Sequence, residues 1–431
     1  MAHAPLSSRL RPHPGHRLPA VLAAGRIADH VRAEDLTLED PRFRDLLATI
    51  DGDAPIHRGN RVRLHVDGAD AMAAMLAAVA GAARELLVES YIFRDDSTGR
   101  RLQSALIAAH RRGVAVRVLA DAFGSFSTRS RFWRDLCAAG VETRLFHRLS
   151  LRFWLQPLRD HRKLLVADRR LAFTGGMNIG DEYGSSRRHR ADAWRDTQVE
   201  VEGAAAAELA AVFSEGWEGA GGEPLVEESG DACPARLTPP TTDGSTDESG
   251  ASVLVQDSRP FRGHRETAAA LAAILAAAGR RVWITNSYFV PGPRAAGLLA
   301  ATARRGIDVR LLLPGPTDLP FVRHAGHASF THLLRSGVRI HEYRPTVLHA
   351  KTLVADASVS VVGSTNLDLR SFRYNGECNL VIFDAPTAER LALQFERDLT
   401  ESRTLELDSW RHRPLAHRAG DTLAGFTRPL L

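Results

Sequence analysis

Apolar residues recur along the chain in two alternating patterns, and the order of these patterns is repeated once. Ala-rich segments with a helical period, at 71–83 and 268–278, each precede a short apolar run typical of a buried strand, at 86–93 and 282–290. In both halves the next helical segment ends at a glycine and is followed by a β-branched strand. Alternating helices and strands predict an α/β fold, and the internal repeat predicts two such units of similar topology.

Composition marks the boundaries between these units. Residues 219–252 are rich in Gly, Pro, Ser, Thr, Asp and Glu and lack apolar periodicity, as linkers do. We therefore expect a partly disordered N-terminal leader at 1–58 and a first domain at 59–218, followed after the linker by a second domain with a C-terminal tail at 253–431. Each domain is expected to contain a mixed β-sheet flanked by helices.

Charge and composition narrow the class of partner. A net charge of +5 and a pI near 9.5 favour anionic partners: nucleic acid, an anionic bilayer or a phosphate-bearing substrate. The longest apolar stretches fall short of the roughly 18 to 20 residues that span a bilayer, so no transmembrane helix is predicted. Three widely spaced cysteines favour a reducing cytosol. His324, His327 and His332 lie close in sequence, but no Cys or carboxylate stands nearby at ligand spacing, so no zinc site is predicted.

Lysine is almost absent from the chain, and this makes a duplicated motif visible. Only two of the 56 Lys and Arg residues are lysines. Each follows a histidine by two positions and precedes an aspartate by five, and a glycine and an asparagine come later. A chain this biased towards Arg keeps Lys where a compact ammonium is needed. The two motifs comprise His161, Lys163, Asp168 and Asn178 in the first half, and His349, Lys351, Asp356 and Asn366 in the second.

The motif contains the groups that act on a phosphodiester. His and Lys two positions apart project from one face just before a buried strand, and the glycine-containing turn returns an amide donor towards them. Two such clusters facing each other across a pseudo-twofold axis would place two imidazoles, two ammonium groups and two amides around one anion. One imidazole can then attack while the other protonates the leaving oxygen.

An imidazole in this role needs a carboxylate that fixes its tautomer. Asp196 and Glu377 occupy equivalent places in the repeat, each near the start of an alternating strand, and we predict that they orient the histidines. Asp168 and Asp356 complete the motif and are included in the candidate catalytic set. Their position past the buried strand nevertheless favours a structural role, through turn hydrogen bonds or an ion pair.

The doubled motif resembles that of the phospholipase D superfamily, and flanking segments resemble its bacterial cardiolipin synthase branch, in a short form without transmembrane helices. This resemblance implies a metal-independent, cofactor-free reaction through a phosphohistidine. It implies that His161 is the nucleophile and His349 the general acid, with Lys163, Lys351, Asn178 and Asn366 holding the phosphoryl oxygens. The flanking segments are 89–93, 121–125, 160–163, 176–180, 194–197, 363–372, 375–377 and 429–431.

For this branch the resemblance implies transfer of a phosphatidyl group to the glycerol hydroxyl of phosphatidylglycerol. It also implies peripheral attachment to the inner (plasma) membrane from the cytoplasm, and it disfavours nucleic acid as a partner. An insertion before the first motif, which contains Phe153 and Trp154, could dip into the membrane surface or pack as an ordinary loop. The alternatives are hydrolysis by the same fold, as a phospholipase or nuclease, and a binding protein that retains the fold without catalysis.

Overall fold

The computed structural model describes residues 24–52, 54–147, 158–185, 192–225, 250–258, 266–414, 420–421 and 424–425. Helices α1 (Ala24–Ala33) and α2 (Pro41–Ile50) precede the first half. The strands of the first half are β1 (Ile56–His65), β2 (Glu85–Ser90), β3 (Ala115–Asp121), β4 (Glu142–Phe146), β5 (Arg159–Asp160), β6 (Lys163–Ala167), β7 (Leu171–Gly175) and β8 (Gln198–Glu202). Its helices are α3 (Gly68–Gly81), α4 (Ser97–Arg111), α5 (Ser130–Ala138) and α6 (Ala204–Gly219).

The second half repeats this order of elements. Its strands are β9 (Ala251–Ser258), β10 (Arg281–Thr285), β11 (Asp308–Pro314), β12 (Arg339–Tyr343), β13 (Thr352–Ala355), β14 (Val359–Gly363), β15 (Asn375–Phe383) and β16 (Ser402–Thr404). Its helices are α7 (Glu266–Ala277), α8 (Pro293–Arg304), α9 (Pro320–His327), α10 (Phe330–Arg335), α11 (Leu369–Arg373), α12 (Ala385–Thr400) and α13 (Leu407–Arg411). Several helices begin at an aspartate whose carboxylate accepts a first-turn N–H, as Asp96 does from Gly99 at 2.9 Å.

One continuous 16-stranded sheet runs through both halves. The first half contributes the order β1-β8-β7-β6-β2-β3-β4, and the second half contributes the equivalent order β9-β15-β14-β13-β10-β11-β12, with β16 at the far edge. The halves meet where β1 and β9 pair antiparallel. This strand-for-strand equivalence places a pseudo-twofold axis between β1 and β9.

The apolar side chains of the two halves share a central core. One outer core lies between the sheet and α3, α4 and α5, and another lies between the sheet and α7, α8 and α10. The central core lies on the opposite face and combines residues of both halves, including α6 and α12. Because β7 approaches β14 and β15 across this core, the two halves of the sheet are stacked, and the strands that carry the two motifs are brought together.

Part of the segment assigned to the leader is folded onto the second half. Ile27 and Val31 of α1 and Phe43 and Leu47 of α2 are buried in the outer core that contains Leu254. Residues 1–23 of the leader and 226–249 of the linker lie outside the described residues, and the domain boundaries stay a prediction.

Asp168 and Asp356 lie at the far ends of β6 and β13 from the lysines. The Asp168 carboxylate accepts hydrogen bonds from the backbone N–H groups of Ala83, Arg84 and Glu85, at 2.8, 2.7 and 2.9 Å. Asp356 accepts the equivalent three bonds before β10. Both aspartates have left-handed backbone angles, with φ of 53° and 50°, which Asp tolerates better than most residues. These positions support a structural role for the two aspartates.

We predict that Asp168→Asn destabilises the protein without a comparable loss of catalysis. Asn keeps the left-handed backbone but removes the charge that three N–H donors share, and hydrogen bonds to charged groups contribute about 1.5 to 3 kcal/mol. Urea unfolding should show a loss of about 2 kcal/mol, while turnover at a permissive temperature stays within a few-fold of the parent. Asp45→Asn, at an exposed site on α2, is the control. A large loss of turnover at unchanged stability would give Asp168 a direct catalytic role.

Candidate active site

The backbone of each motif histidine is bound to the opposite half of the molecule. The His161 N–H donates to the carbonyl of Gly376 at 2.8 Å, and the His349 N–H donates to the carbonyl of Arg195 at 2.7 Å. These bonds extend short parallel pairings, of β5 with β15 and of Arg195 with Leu348. The two histidines therefore enter one site from opposite sides of the pseudo-twofold axis.

The carboxylates that orient the imidazoles are exchanged between the halves. Nδ1 of His161 lies 2.9 Å from Oε2 of Glu377, and Nδ1 of His349 lies 2.7 Å from Oδ2 of Asp196. An ionised carboxylate can only accept, so each Nδ1 carries the proton and each Nε2 presents a lone pair. The sequence identified Asp196 and Glu377 as equivalent, but the crossed pairing appears only in the structure.

Each carboxylate is itself held by further contacts. Glu377 accepts from the Ser364 hydroxyl at 2.5 Å and from the Asn375 amide at 3.2 Å. Asp196 accepts from the backbone N–H of Thr197 at 2.7 Å. It also lies so close to Gly176 that a Cβ there would fall 2.1 Å from its Oδ1. The glycine of the motif is thus required for Asp196 to reach the histidine of the other half.

The two lysines are buried beside the imidazoles. Lys163 Nζ donates to the carbonyl of His161 and lies 5.4 Å from the ring centre of Tyr91. Lys351 Nζ donates to the carbonyl of His349, and it also lies 2.9 and 3.0 Å from the two ring nitrogens of that histidine. Both ammonium groups are therefore close enough to bind an anion placed between the two histidines.

The two asparagines are anchored through their carbonyl oxygens. Oδ1 of Asn178 accepts from the backbone N–H of Ile92 at 3.0 Å, and Oδ1 of Asn366 accepts from the Ser287 hydroxyl at 2.7 Å. This assignment leaves the amide N–H groups as donors, and that of Asn178 bonds the Tyr183 hydroxyl. The structure thus brings together the two histidines, the two lysines and the carboxylates Asp196 and Glu377, whereas Asp168 and Asp356 lie apart.

Burial controls the protonation of the site. It lowers the pKa of His161 and of His349 to about 4, and in the second case the neighbouring Lys351 lowers it further. Burial also lowers the pKa of Lys163 to about 7 and that of Lys351 to about 8. Near neutral pH both imidazoles are therefore neutral, and the lysines are close to their midpoints.

The orienting carboxylates stay ionised in the same environment. Burial by itself would raise the pKa of Glu377 and of Asp196, but the adjacent histidine and lysine outweigh it and hold both values below the ordinary range. Ionised carboxylates facing neutral imidazoles fix the tautomer described above.

Aromatic residues that the sequence did not identify form the walls of the site. The Tyr91 ring lies edge-on to His161 with centroids 4.9 Å apart, and Tyr288 lies edge-on to His349 at 6.0 Å. Tyr183 and Trp194 also contact the His349 ring, each at 5.3 Å. Tyr91 and Tyr288 occupy corresponding places in the repeat, and this is the signal that could have predicted them.

Two buried ion pairs join the halves beneath the site. Arg162, between His161 and Lys163, lies 2.6 Å from Asp257 of the second half. Arg195, which precedes Asp196, lies 2.8 Å from Asp398 on α12. Each arginine is next to a site residue in the chain, so the positions of these site residues depend on the ion pairs between the halves.

A second cluster of titratable groups lies on α9. Nδ1 of His324 and Nδ1 of His327 lie 2.8 and 3.0 Å from the same oxygen of Asp421, and Arg413 contacts the other oxygen at 2.8 Å. Asp421 is distant from these histidines along the chain, so ligand spacing in the sequence indicates no carboxylate beside them. The geometry is that of hydrogen bonds from two imidazoles to one carboxylate. The positive charge of the neighbouring Arg413 guanidinium disfavours binding of a metal cation at this cluster. The insertion with Phe153 and Trp154 lies outside the described residues.

Comparison with known proteins identifies relatives over most of the chain. The family described as "Cardiolipin synthase, PLD-like domain" matches residues 75–217 and 271–399. Cardiolipin synthase 1 of Bacillus cereus is 31% identical over 382 residues, which cover 88% of this chain and 74% of that protein. A cardiolipin synthase of Geobacillus kaustophilus has the same identity and coverage.

Solved structures resemble the fold. Phosphatidylserine synthase of Haemophilus influenzae Rd KW20 aligns with a TM-score of 0.67 and 12% identity, over 90% of this chain and 100% of that one. Polyphosphate kinase of Porphyromonas gingivalis aligns with a TM-score of 0.53 and 13% identity, over 86% and 53%. At these identities the likeness concerns the fold alone. Together with the repeated family match it confirms the predicted fold class.

We predict that the site binds a divalent oxyanion more weakly as the pH rises. A folded-state pKa of about 7 for Lys163 and about 8 for Lys351 means that their charge is present below these values and lost above them. Sulfate keeps its charge over this range, so its affinity should fall roughly tenfold or more between about pH 6 and about pH 9. Calorimetric titration measures this.

The Lys163→Met variant separates the contributions of the two lysines to the pH dependence of sulfate binding. The variant should bind sulfate more weakly at low pH and keep only the part of the pH dependence that belongs to Lys351. A sulfate affinity that is constant over the whole range would contradict titration of either lysine.

Proposed function

Because the chain belongs to the phospholipase D-like family of cardiolipin synthases, we propose that it is a phosphatidyltransferase that moves a phosphatidyl group from a phospholipid to the glycerol hydroxyl of phosphatidylglycerol. The observation that carries this proposal is the crossed pairing of His161 with Glu377 and of His349 with Asp196. It supplies two equally oriented imidazoles on opposite sides of one anion, as a two-step displacement at phosphorus requires.

In the first step Nε2 of His161 attacks the phosphorus of the donor lipid. A P–N bond forms, the P–O bond to the leaving alcohol breaks, and His349 donates the proton that this oxygen needs. The positive charge that develops on the His161 ring is stabilised by Glu377 through Nδ1–H. The product of this step is a phosphohistidine and a free alcohol.

In the second step His349 takes the proton from the glycerol hydroxyl of phosphatidylglycerol. The resulting oxygen attacks phosphorus, the P–N bond breaks and His161 is regenerated. During both steps Lys163, Lys351 and the amides of Asn178 and Asn366 neutralise and orient the phosphoryl oxygens, so the chemistry needs no divalent ion. The two histidines have the same geometry, so the assignment of His161 as nucleophile and His349 as general acid rests on the family resemblance.

The bound substrate itself prepares the general acid. Lys351 lies against the His349 ring and opposes its protonation. A phosphodiester anion between the lysines offsets that charge, and this raises the pKa of His349 when the proton is needed. Both histidines are buried, at 7% and 3% exposure, so the reaction takes place away from bulk water.

We further propose that the protein attaches reversibly to the cytoplasmic face of an anionic membrane through two equivalent loops. The loop after β3 exposes Phe123 and Phe126, at 40% and 71%. The equivalent connection after β11 exposes Leu319 and, in the first turn of α9, Phe321, at 46% and 51%. Exposed arginines follow the first loop at 129 and 131. Apolar side chains beside cations suit the interface of an anionic bilayer. None of the helices within the described ranges could cross a bilayer.

Vesicles of phosphatidylglycerol test the reaction. The protein should produce cardiolipin and glycerol, and His161→Ala should abolish turnover. His349→Ala should block the natural leaving group yet still permit slow phosphorylation by a nitrophenyl diester, whose leaving group needs no proton. Mass spectrometry of the quenched reaction should place the phosphoryl group on His161.

Other outcomes of this experiment are equally informative. A phosphoryl group on His349 would reverse the two roles. Phosphatidic acid without cardiolipin would make the protein a hydrolase, and turnover that survives both substitutions would exclude the mechanism.

Sedimentation with anionic vesicles tests the attachment. Replacing Phe126 and Phe321 together with Ser should lower vesicle binding tenfold or more, since burying each phenyl ring contributes roughly 1.5 to 3 kcal/mol. Binding of the parent should also weaken at high salt. Leu393→Ser, at an apolar residue on α12 whose exposure is similar to that of Phe321, is the control and should bind as the parent does. Unchanged binding of the double variant would place the docking surface elsewhere.

A further inference from the structure

An apolar cavity extends from Lys351 into the second half, between the sheet and α7. Water-sized molecules can occupy about 60 Å³ of it, which corresponds to roughly four to six waters. Its apolar walls come from β10, β13, β14 and β15 on one side and from α7 on the other. The apolar lining includes Ala270, Leu271, Ile274, Ile284, Val361 and Phe372.

At one position of the repeat that lines the cavity, the second half has a smaller side chain than the first. In the first half Phe173 of β7 pairs with Leu165 of β6, and in the second half Val361 of β14 pairs with Leu353 of β13. These strands are equivalent, so Val361 corresponds to Phe173. Phe173 is completely buried and fills the outer core of its half. The smaller valine leaves space beside α7, whose sequence there is largely alanine.

The end of the cavity next to the active site is polar. Lys351, Thr365 and Asn379 line it, and Asn379 lies on the same face of β15 as Glu377, two residues away. Gln256 also lines the cavity, is only 2% exposed, and its Nε2 has no hydrogen-bond partner among the described residues. A buried amide donor without a partner is costly, and a ligand with a carbonyl oxygen would satisfy it.

We propose that this cavity binds the first few methylenes, next to the ester, of one acyl chain of a glycerophospholipid whose phosphate lies between Lys163 and Lys351. The apolar walls receive the chain, the ammonium of Lys351 binds the phosphate, and the Gln256 amide donates to an ester carbonyl between them. This order of groups matches the polar end of the cavity at Lys351 and the apolar walls beside α7. The inference rests on the proposed function, and it identifies the second half as the one that recognises the lipid tail.

Val361→Phe tests the proposal because it gives the second half the side chain that the first half already accommodates. Filling the cavity should lower the turnover of dioleoyl phosphatidylglycerol, relative to cleavage of bis(4-nitrophenyl) phosphate, by about tenfold, a typical effect of changing the shape of an apolar pocket. Leu298→Phe is the matched control. Leu298 on α8 is partly buried against the same outer core but does not line the cavity, so the ratio should be unchanged.

A photoreactive phosphatidylglycerol with a diazirine in its acyl chain gives a second measurement. Crosslinks should map to α7 or β14 in the parent protein and be lost in Val361→Phe. An unchanged turnover ratio together with crosslinks elsewhere would overturn the acyl-chain site, while cardiolipin production by the parent would leave the proposed function intact. Crosslinks in the cavity without any lipid turnover would support the site and refute the proposed function.

Discussion

The site depends on an exchange of hydrogen bonds between the two halves. Each histidine receives both its backbone acceptor and its orienting carboxylate from the half to which it does not belong. Neither half can therefore present an imidazole with a fixed tautomer by itself, although each contains a complete copy of the sequence motif. Closure of the halves on each other is the physical condition for two bases to face one phosphate, and the continuous sheet and shared central core provide it.

The contacts that maintain this closure also surround the charged groups of the site. The buried pairs Arg162–Asp257 and Arg195–Asp398 cross between the halves next to His161 and Asp196. A buried ion pair contributes little net stability, but separation of its partners would leave an uncompensated charge in the interior. Such pairs therefore penalise small displacements of one half relative to the other. The protonation states of the site, which follow from burial, depend on the same closure.

Sequence reasoning predicted the repeated α/β fold, the two His–Lys clusters and the equivalence of Asp196 with Glu377, because all three follow from local periodicity and from comparison of the halves. It could not predict the crossed pairing, since spacing along one half contains no information about contacts with the other. It assigned 1–58 to a partly disordered leader, and it did not predict that α1 and α2 within that segment pack on the second half. Helices of ten residues carry too little periodic signal to show what they pack against.

The positions at which the two halves differ become apparent only when strand register is known, and they indicate how the two halves could differ in function. The backbone carbonyls of Glu85 and Arg281 accept equivalent hydrogen bonds, from the N–H groups of Asp168 and Asp356. Further along, Tyr91 and Tyr288 contact the two histidines in equivalent positions, although they do not follow Glu85 and Arg281 at the same distance in sequence. The second half therefore contains one additional residue in this stretch, next to Asn286, which lines the cavity beside Lys351. Val361, which stands where the first half has Phe173, lies on that same face of the sheet in the second half. The two motifs must present equivalent groups to phosphorus, but the donor and acceptor lipids are chemically distinct. The outer cores differ between the halves, so they are where the protein can discriminate between the two lipids.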